Sequence, residues 1–165
     1  MKVKTIIEED FTNYKLPVMF IGTIKCNGKC YKELSISETI CHNHEWHSMP
    51  IIEIADSSLI ERYLSNPITK GICFGGLEPF EQFDEIISFI ETFRTQYKCN
   101  DQIVIYTGFY EEEITSYVTQ LKPYSNIVVK FGRFLPNDKR RYSSILGVYL
   151  SSSNQYAKEI GENND

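Results

Sequence analysis

The chain has 165 residues, of which 42% are hydrophobic and 24% charged, the balance of a single soluble globular domain. Its 17 Lys and Arg stand against 22 Asp and Glu for a net charge of −5, which speaks against the basic stripe of a direct nucleic-acid binder. No stretch approaches the ~18 apolar residues that cross a bilayer, and the charged opening MKVKTIIEEDF lacks the apolar run of a signal peptide, so a cytoplasmic protein without a membrane partner is expected.

Punctuation and periodicity predict alternating strands and helices. Pro17 precedes an apolar strand, Val18 to Thr23, and a loop with three cysteines runs from Lys25 to about Met49. Asp56 or Ser57 is placed to cap a short helix through Leu64, with Leu59, Ile60, Tyr63 and Leu64 at helical spacing and Asn66-Pro67 as its stop. Ile72-Cys73-Phe74 reads as a buried strand ended by Gly75-Gly76. From Phe80 to Tyr97 the residues Phe83, Ile86, Ile87, Phe89, Ile90 and Phe93 form one helical face. Ile103 to Tyr106 is the next strand, closed by Thr107-Gly108. Glu111 to Leu121 reads as a helix with acids in its first turn, and Ile127 to Phe131 as a final strand.

Strands alternating with helices predict an α/β fold with a mainly parallel sheet in one domain spanning 1–165. The core is expected over about 18–157, with 158–165 a disordered tail. In such sheets ligands bind beyond the carboxyl ends of the strands, where the cysteine loop, Gly75-Gly76 and Thr107-Gly108 all fall. Lys139-Arg140-Arg141 is short and reads as a solvated loop.

The chain has five cysteines. In a reducing compartment an odd, clustered set reads as metal ligands more readily than as disulfides. Cys26 and Cys30 are separated by Asn27-Gly28-Lys29, a sequence that permits a sharp turn, and Cys41 follows later with His42, His44 and His47 behind it. On this loop alone a Cys₃His zinc site, an iron–sulfur cluster and no metal at all are each open. Cys73 lies in an apolar strand as a core thiol, and Cys99 sits in a loop beside Lys98 and Asn100 as an exposed bystander.

Beyond the loop the sequence resembles the radical S-adenosylmethionine proteins, and within them the small activating proteins of anaerobic ribonucleotide reductase. Cys26 and Cys30 resemble the start of that family's three-cysteine motif, and Cys41-His42-Asn43 its end. Phe74-Gly75-Gly76-Leu77-Glu78-Pro79 resembles the glycine-glycine-acid-proline segment that holds the methionine amine. Tyr106-Thr107-Gly108-Phe109 resembles the family's Tyr-Thr-Gly strand end. Gly132 with Phe134, then Ser153-Asn154-Gln155, resemble its C-terminal segment. The likeness runs from about Phe20 to Ala157.

Three departures stand out. The gap between Cys30 and Cys41 is longer than the family's two residues. Loop-closure scaling sets its cost at roughly 1.4 kcal/mol, small beside metal-site energies on the order of 10 kcal/mol. Leu77 separates the glycines from Glu78, and Phe131 precedes Gly132 where the family usually has Asp.

The resemblance implies a partial (β/α) barrel of radical-SAM type. It implies a [4Fe–4S] cluster on Cys26, Cys30 and Cys41, and S-adenosyl-L-methionine bound by Gly75, Gly76, Glu78 and Thr107, with no catalytic residue beyond the cluster ligands. Reductive cleavage of the cofactor would give a 5′-deoxyadenosyl radical, the cofactor carrying the hard chemistry. The implied partners are a glycyl radical enzyme like anaerobic ribonucleotide reductase and a flavodoxin-like electron donor. The alternatives are a radical enzyme with another substrate and a zinc-stabilised binding module without catalysis. The inserted segment Tyr31 to Ile40 is the place to look for specificity.

Overall fold

The computed structural model describes residues 1–161. In chain order its strands are β1 (Lys2–Val3), β2 (Thr5–Asp10), β3 (Val18–Gly22), β4 (Ile52–Glu53), β5 (Gly71–Gly75), β6 (Gln102–Tyr106), β7 (Ile127–Phe131), β8 (Arg141–Ser143), β9 (Val148–Leu150) and β10 (Tyr156–Glu159). The α-helices are α1 (Lys29–Glu33), α2 (Asp56–Ser65), α3 (Phe83–Thr95) and α4 (Thr115–Leu121).

The central sheet has the order β10-β7-β6-β5-β3-β2. Its four inner strands β3, β5, β6 and β7 are parallel, and β2 and β10 close the two edges antiparallel. The mixed α/β domain with a mostly parallel sheet is therefore the expected one. The inner strands carry buried residues at every position except the ends of β6, as strands covered on both faces do.

Alternation along the strands sorts the two faces. Met19, Ile21, Ile72, Phe74, Ile103, Ile105, Ile127, Val129 and Phe131 pack with the apolar stripes of α2, α3 and α4 in one cluster. Val18, Phe20, Cys73, Val104 and Val128 face the other way, against Tyr14, Leu146 and Leu150. All three longer helices thus share one face. Towards the carboxyl ends of the strands the opposite face is left for Phe20, Tyr106 and Lys130, which line a cavity.

Several boundaries differ from expectation for local reasons. Asp56 is the first residue of α2 and not its cap, and Leu64 is 48% exposed, outside the buried stripe Leu59, Ile60 and Tyr63. The segment before Phe83 is a 3₁₀ turn, Pro79–Gln82, with Glu78 as its cap and Pro79 in its first position, where a missing N–H costs nothing. The helix expected from Glu111 breaks at Ile114 into a 3₁₀ turn and α4. The core also extends past both expected limits. β2 joins the sheet ahead of residue 18, and Lys158 and Glu159, placed in a tail by sequence, pair with Val129 and Val128 in β10. The rest of that expected tail, residues 162–165, lies outside the described residues. Lys139, Arg140 and Arg141 are exposed, as expected of a solvated run.

Candidate metal centre and cofactor cavity

The carboxyl ends of β3, β5, β6 and β7 open onto one cavity of about 340 Å³. Cys26, Cys30 and Cys41 form part of its wall, with Gly76, Glu78 and Thr107 opposite. The sequence places these six residues in three separate segments, and the parallel register collects them at one edge. Gly75 is not in that wall. It ends β5, and its carbonyl accepts from the Thr23 N–H at 2.9 Å and the Thr23 hydroxyl at 3.1 Å. Its role is to tie the start of the cysteine segment to the sheet.

The first two cysteines owe their approach to the turn between them. Asn27 Oδ1 accepts from the Lys29 N–H at 3.0 Å, Gly28 takes φ +69°, and its N–H donates to Cys26 Sγ at 3.3 Å. A side chain at Gly28 would be strained at that φ and would collide with the Tyr31 ring. α1 then carries Cys30 on its first turn. Cys30 and Cys41 are close enough to titrate together, the Cys30 side chain pulling the Cys41 thiol down and Cys41, with burial, pushing Cys30 up. His47 and His42 add to the pull on Cys41. Burial raises Cys26. All three thiols are free and half-buried.

This donor set fits a cluster held by three thiolates: soft ligands, partly dry, facing one cavity. Among the described residues no trio of His, Cys, Asp or Glu converges on one ion-sized point. Thiolates that each serve a different iron of one cluster have no need to.

The segment carrying the cysteines is held by polar contacts. None of its three short helical turns contains a buried residue. The Glu78 N–H donates to the Lys25 carbonyl at 2.7 Å, and Asn43 Nδ2 donates to the Gly76 carbonyl at 2.5 Å. An ionic lattice grips α1. Arg133 reaches Glu33 at 2.7 Å and Glu113 at 2.6 Å, and Lys29 also pairs with Glu113. Arg133 holds Glu113 down at about 2. The one apolar anchor is Trp46, which stands edge-on to Phe20 with ring centroids 5.9 Å apart.

Trp46 also explains the second glycine. Gly76 has φ +83°, and a Cβ there would fall 2.1 Å from the Trp46 ring. Gly22 is under the same ring, with 2.6 Å left for a Cβ. Both glycines make room for the indole, a role that the Gly-Gly pattern does not reveal.

Glu78 is 6% exposed and accepts three hydrogen bonds, from the Phe80 N–H (3.1 Å), the Thr107 hydroxyl (2.7 Å) and the Gly108 N–H (2.8 Å). It therefore caps the 3₁₀ turn and faces the cavity at once. Burial pushes it up to about 7 against those three bonds. Thr107 spends its hydroxyl on Glu78 and accepts from the Phe109 N–H at 3.0 Å, so it positions the acid.

Lys130 escaped the sequence reading. It interrupts the apolar run of β7, is 6% exposed, and lines the cavity. Its Nζ donates to the carbonyls of Thr107 at 3.2 Å and Gly132 at 2.8 Å. Burial brings it down to about 7. A lysine among Ile, Val and Phe was the available signal, since a buried cation needs partners. Arg133 gave no such signal, because its partner Glu33 is 100 residues away.

The C-terminal segment braces the cavity. Gln155 Nε2 donates to the Gly132 carbonyl at 3.2 Å, and Asn154 Nδ2 donates to the Arg133 carbonyl at 3.0 Å. These bonds fix the strand end that presents Lys130 and Arg133, and Phe134 packs at a tilt against His42 with centroids 4.3 Å apart. Cys73 is fully buried in β5, as expected. Cys99 is half-buried instead of exposed, because its N–H and carbonyl are used at the end of α3, by Phe93 O and Arg94 Nη1.

No curated protein and no solved structure matches the chain, and no helix among the described residues is long and apolar enough to cross a membrane. Residues 23–157 match the family described as the 4Fe-4S single cluster domain. That span opens at the Thr23 anchor and closes in β10, so it takes in the three cysteines, Glu78, Thr107 and Lys130, while Ile7, Asp10, Thr12, Asn13 and Phe20 on the cavity wall precede it. With most of its length matched, and with three free thiols at the place where a cluster would be held, this chain belongs to the 4Fe-4S single cluster domain family.

Proposed function

We propose that Cys26, Cys30 and Cys41 hold a [4Fe–4S] cluster with which the protein cleaves S-adenosyl-L-methionine reductively. The observation that carries this reading is three thiols, and no fourth, on a cavity shared with a buried carboxylate, Glu78. Three thiolates leave one iron of a four-iron cluster without a protein ligand. Held there, such a cluster would supply the electron for reductive cleavage of the cofactor's sulfonium carbon–sulfur bond.

The chain's own residues bind and shield. Glu78 offers its carboxylate to the methionine amine, with Thr107 and Gly108 keeping it in place. Gly76 keeps the wall thin, and Gly75 tethers the cysteine segment. Trp46 and Phe20 exclude water from one side. Helices on one face of the sheet and a ligand cavity on the other favour a partial (β/α) barrel of radical-SAM type. By its resemblance the chain acts in the cytoplasm on a glycyl radical enzyme like anaerobic ribonucleotide reductase, with a flavodoxin-like protein as electron donor.

The test is anaerobic reconstitution with iron and sulfide, then EPR of the dithionite-reduced protein with and without S-adenosyl-L-methionine. A [4Fe–4S]⁺ signal that changes with the cofactor, together with 5′-deoxyadenosine in the product mixture, is the expected result. A cluster signal indifferent to the cofactor ends the cleavage reading. Tightly held zinc with no cluster after reconstitution returns the cysteines to a structural role.

A further inference from the structure

Two buried charges of opposite sign share the cavity with the three thiols. Lys130 and Glu78 are each 6% exposed, and both side chains line the same cavity of about 340 Å³ as Cys26, Cys30 and Cys41. They do not neutralise each other by contact. No salt bridge joins them among the described residues, and Thr107 stands between, its hydroxyl donating to Glu78 and its carbonyl accepting from Lys130.

The hydrogen bonds assign each charge. Every partner of Glu78 is a donor: two backbone N–H groups and a hydroxyl whose own oxygen accepts from Phe109. A protonated carboxyl would need an acceptor, so the pattern is that of a carboxylate. Both partners of Lys130 are carbonyls, acceptors that an ammonium satisfies.

The other charged groups on the cavity are already compensated or face elsewhere. Arg133 is matched by Glu113 and Glu33. Asp10 is taken up by the Thr12 N–H, the Thr12 hydroxyl and Asn13 Nδ2, and its field falls on Cys73 and Tyr106. The field of Lys130 falls on Glu78 and, after it, on Cys30, while that of Glu78 falls on Lys130 and on Cys26.

Charges count for more in a partly dry site than in water, and net charge and burial are among the factors that set the potential of an iron–sulfur centre. Reduction adds one electron to a centre that three thiolates already make anionic. A neighbouring cation stabilises the reduced form, and a neighbouring anion opposes it. We propose that Lys130 and Glu78 are an opposed pair of buried charges that sets the reduction potential of the cluster, Lys130 raising it and Glu78 lowering it. This rests on the cluster assignment and not on cleavage of S-adenosyl-L-methionine.

The experiment is an EPR-monitored redox titration of the reconstituted full-length chain, with dithionite as electron source and no S-adenosyl-L-methionine. Lys130→Gln, which keeps donors for the two carbonyls, is expected to move the midpoint to more negative potential. Glu78→Gln is expected to move it to more positive potential, and the double variant to return it close to wild type. Lys130→Arg keeps the charge and should hold the wild-type value. Single-variant shifts of the same sign, or a midpoint that ignores both substitutions, overturn the proposal. Iron content and far-ultraviolet circular dichroism establish that each variant folds and loads. Should Lys130→Gln fail there, Glu78→Gln alone decides, and a negative or absent shift refutes the pair. If the wild-type chain forms no cluster, this proposal falls with the cluster reading. A cluster that ignores S-adenosyl-L-methionine removes only the cleavage reading.

Discussion

The sheet and the cysteine segment are held together by different physics. Under the helices, Phe74, Phe89, Phe93 and Phe131 are fully buried, and the stability of that region comes from apolar area removed from water. Across the carboxyl ends of the strands, the segment from Thr23 to Met49 has no buried residue in any of its helical turns. It is fastened by two hydrogen bonds to the Gly75 carbonyl and one to that of Gly76, by the Arg133 lattice and by one indole. The difference assigns the work. A rigid platform sets where the ligand cavity lies, and a lightly held cover supplies thiolates that can adjust to an inorganic group.

The largest effect expected from this contrast is in the core. Phe74→Ala removes a ring packed edge-on against Phe89 at 5.4 Å and should cost about 3–5 kcal/mol, read from urea denaturation. Cys41→Ser should do the reverse. It should abolish iron loading while leaving the denaturation midpoint of the cluster-free chain close to wild type. A midpoint that falls as far as that of Phe74→Ala would show that the cover is part of the folding core.

Gly76→Ala tests the seam between the two regions. The left-handed backbone alone should cost about 1–2 kcal/mol, and the collision with Trp46 should move the ring. Trp46 is the only tryptophan of the chain, so a red shift of its emission reports the displacement directly. Unchanged emission would mean that the indole is not seated on Gly76.

The smallest effect belongs to the lattice, which is partly solvated. Arg133 holds Glu113 near 2, below its ordinary 4.5. The contribution of a depressed carboxylate is complete above its unfolded value and is lost as the pH falls through the folded one. Trp46 emission in the cluster-free chain should therefore show a step between pH 4.5 and 2. Glu113→Gln should remove that step. A step that survives the substitution places its cause in another group.

Much of the platform was legible in the chain because its signals are local. Apolar runs at Val18, Ile72, Ile103 and Ile127, the last broken only by Lys130, report strands buried on both faces, and the spacing of Phe83 through Phe93 reports one face of a helix. The edge strands were not legible. β2 reads TIIEED and β10 reads YAKE, too charged to stand out, and only pairing with β3 and β7 makes them strands.

The cavity divides along the same line. The cysteines declare themselves by residue type and clustering, since few side chains bind metals, whereas the glycines and Glu78 stand out only through their resemblance to a known motif. What each one does was settled by neighbours that no spacing reveals. Gly76 clears space for Trp46, Thr107 serves Glu78, and Gln155 braces Gly132. Composition and periodicity by themselves determined that the chain is α/β, and they placed the cysteine loop beyond a strand end. That Lys130 and Glu78 share one dry cavity, and that Arg133 reaches back to Glu33, only the tertiary structure decided. Periodicity records which face of an element is buried, whereas a charge pair depends on which distant elements the register brings together.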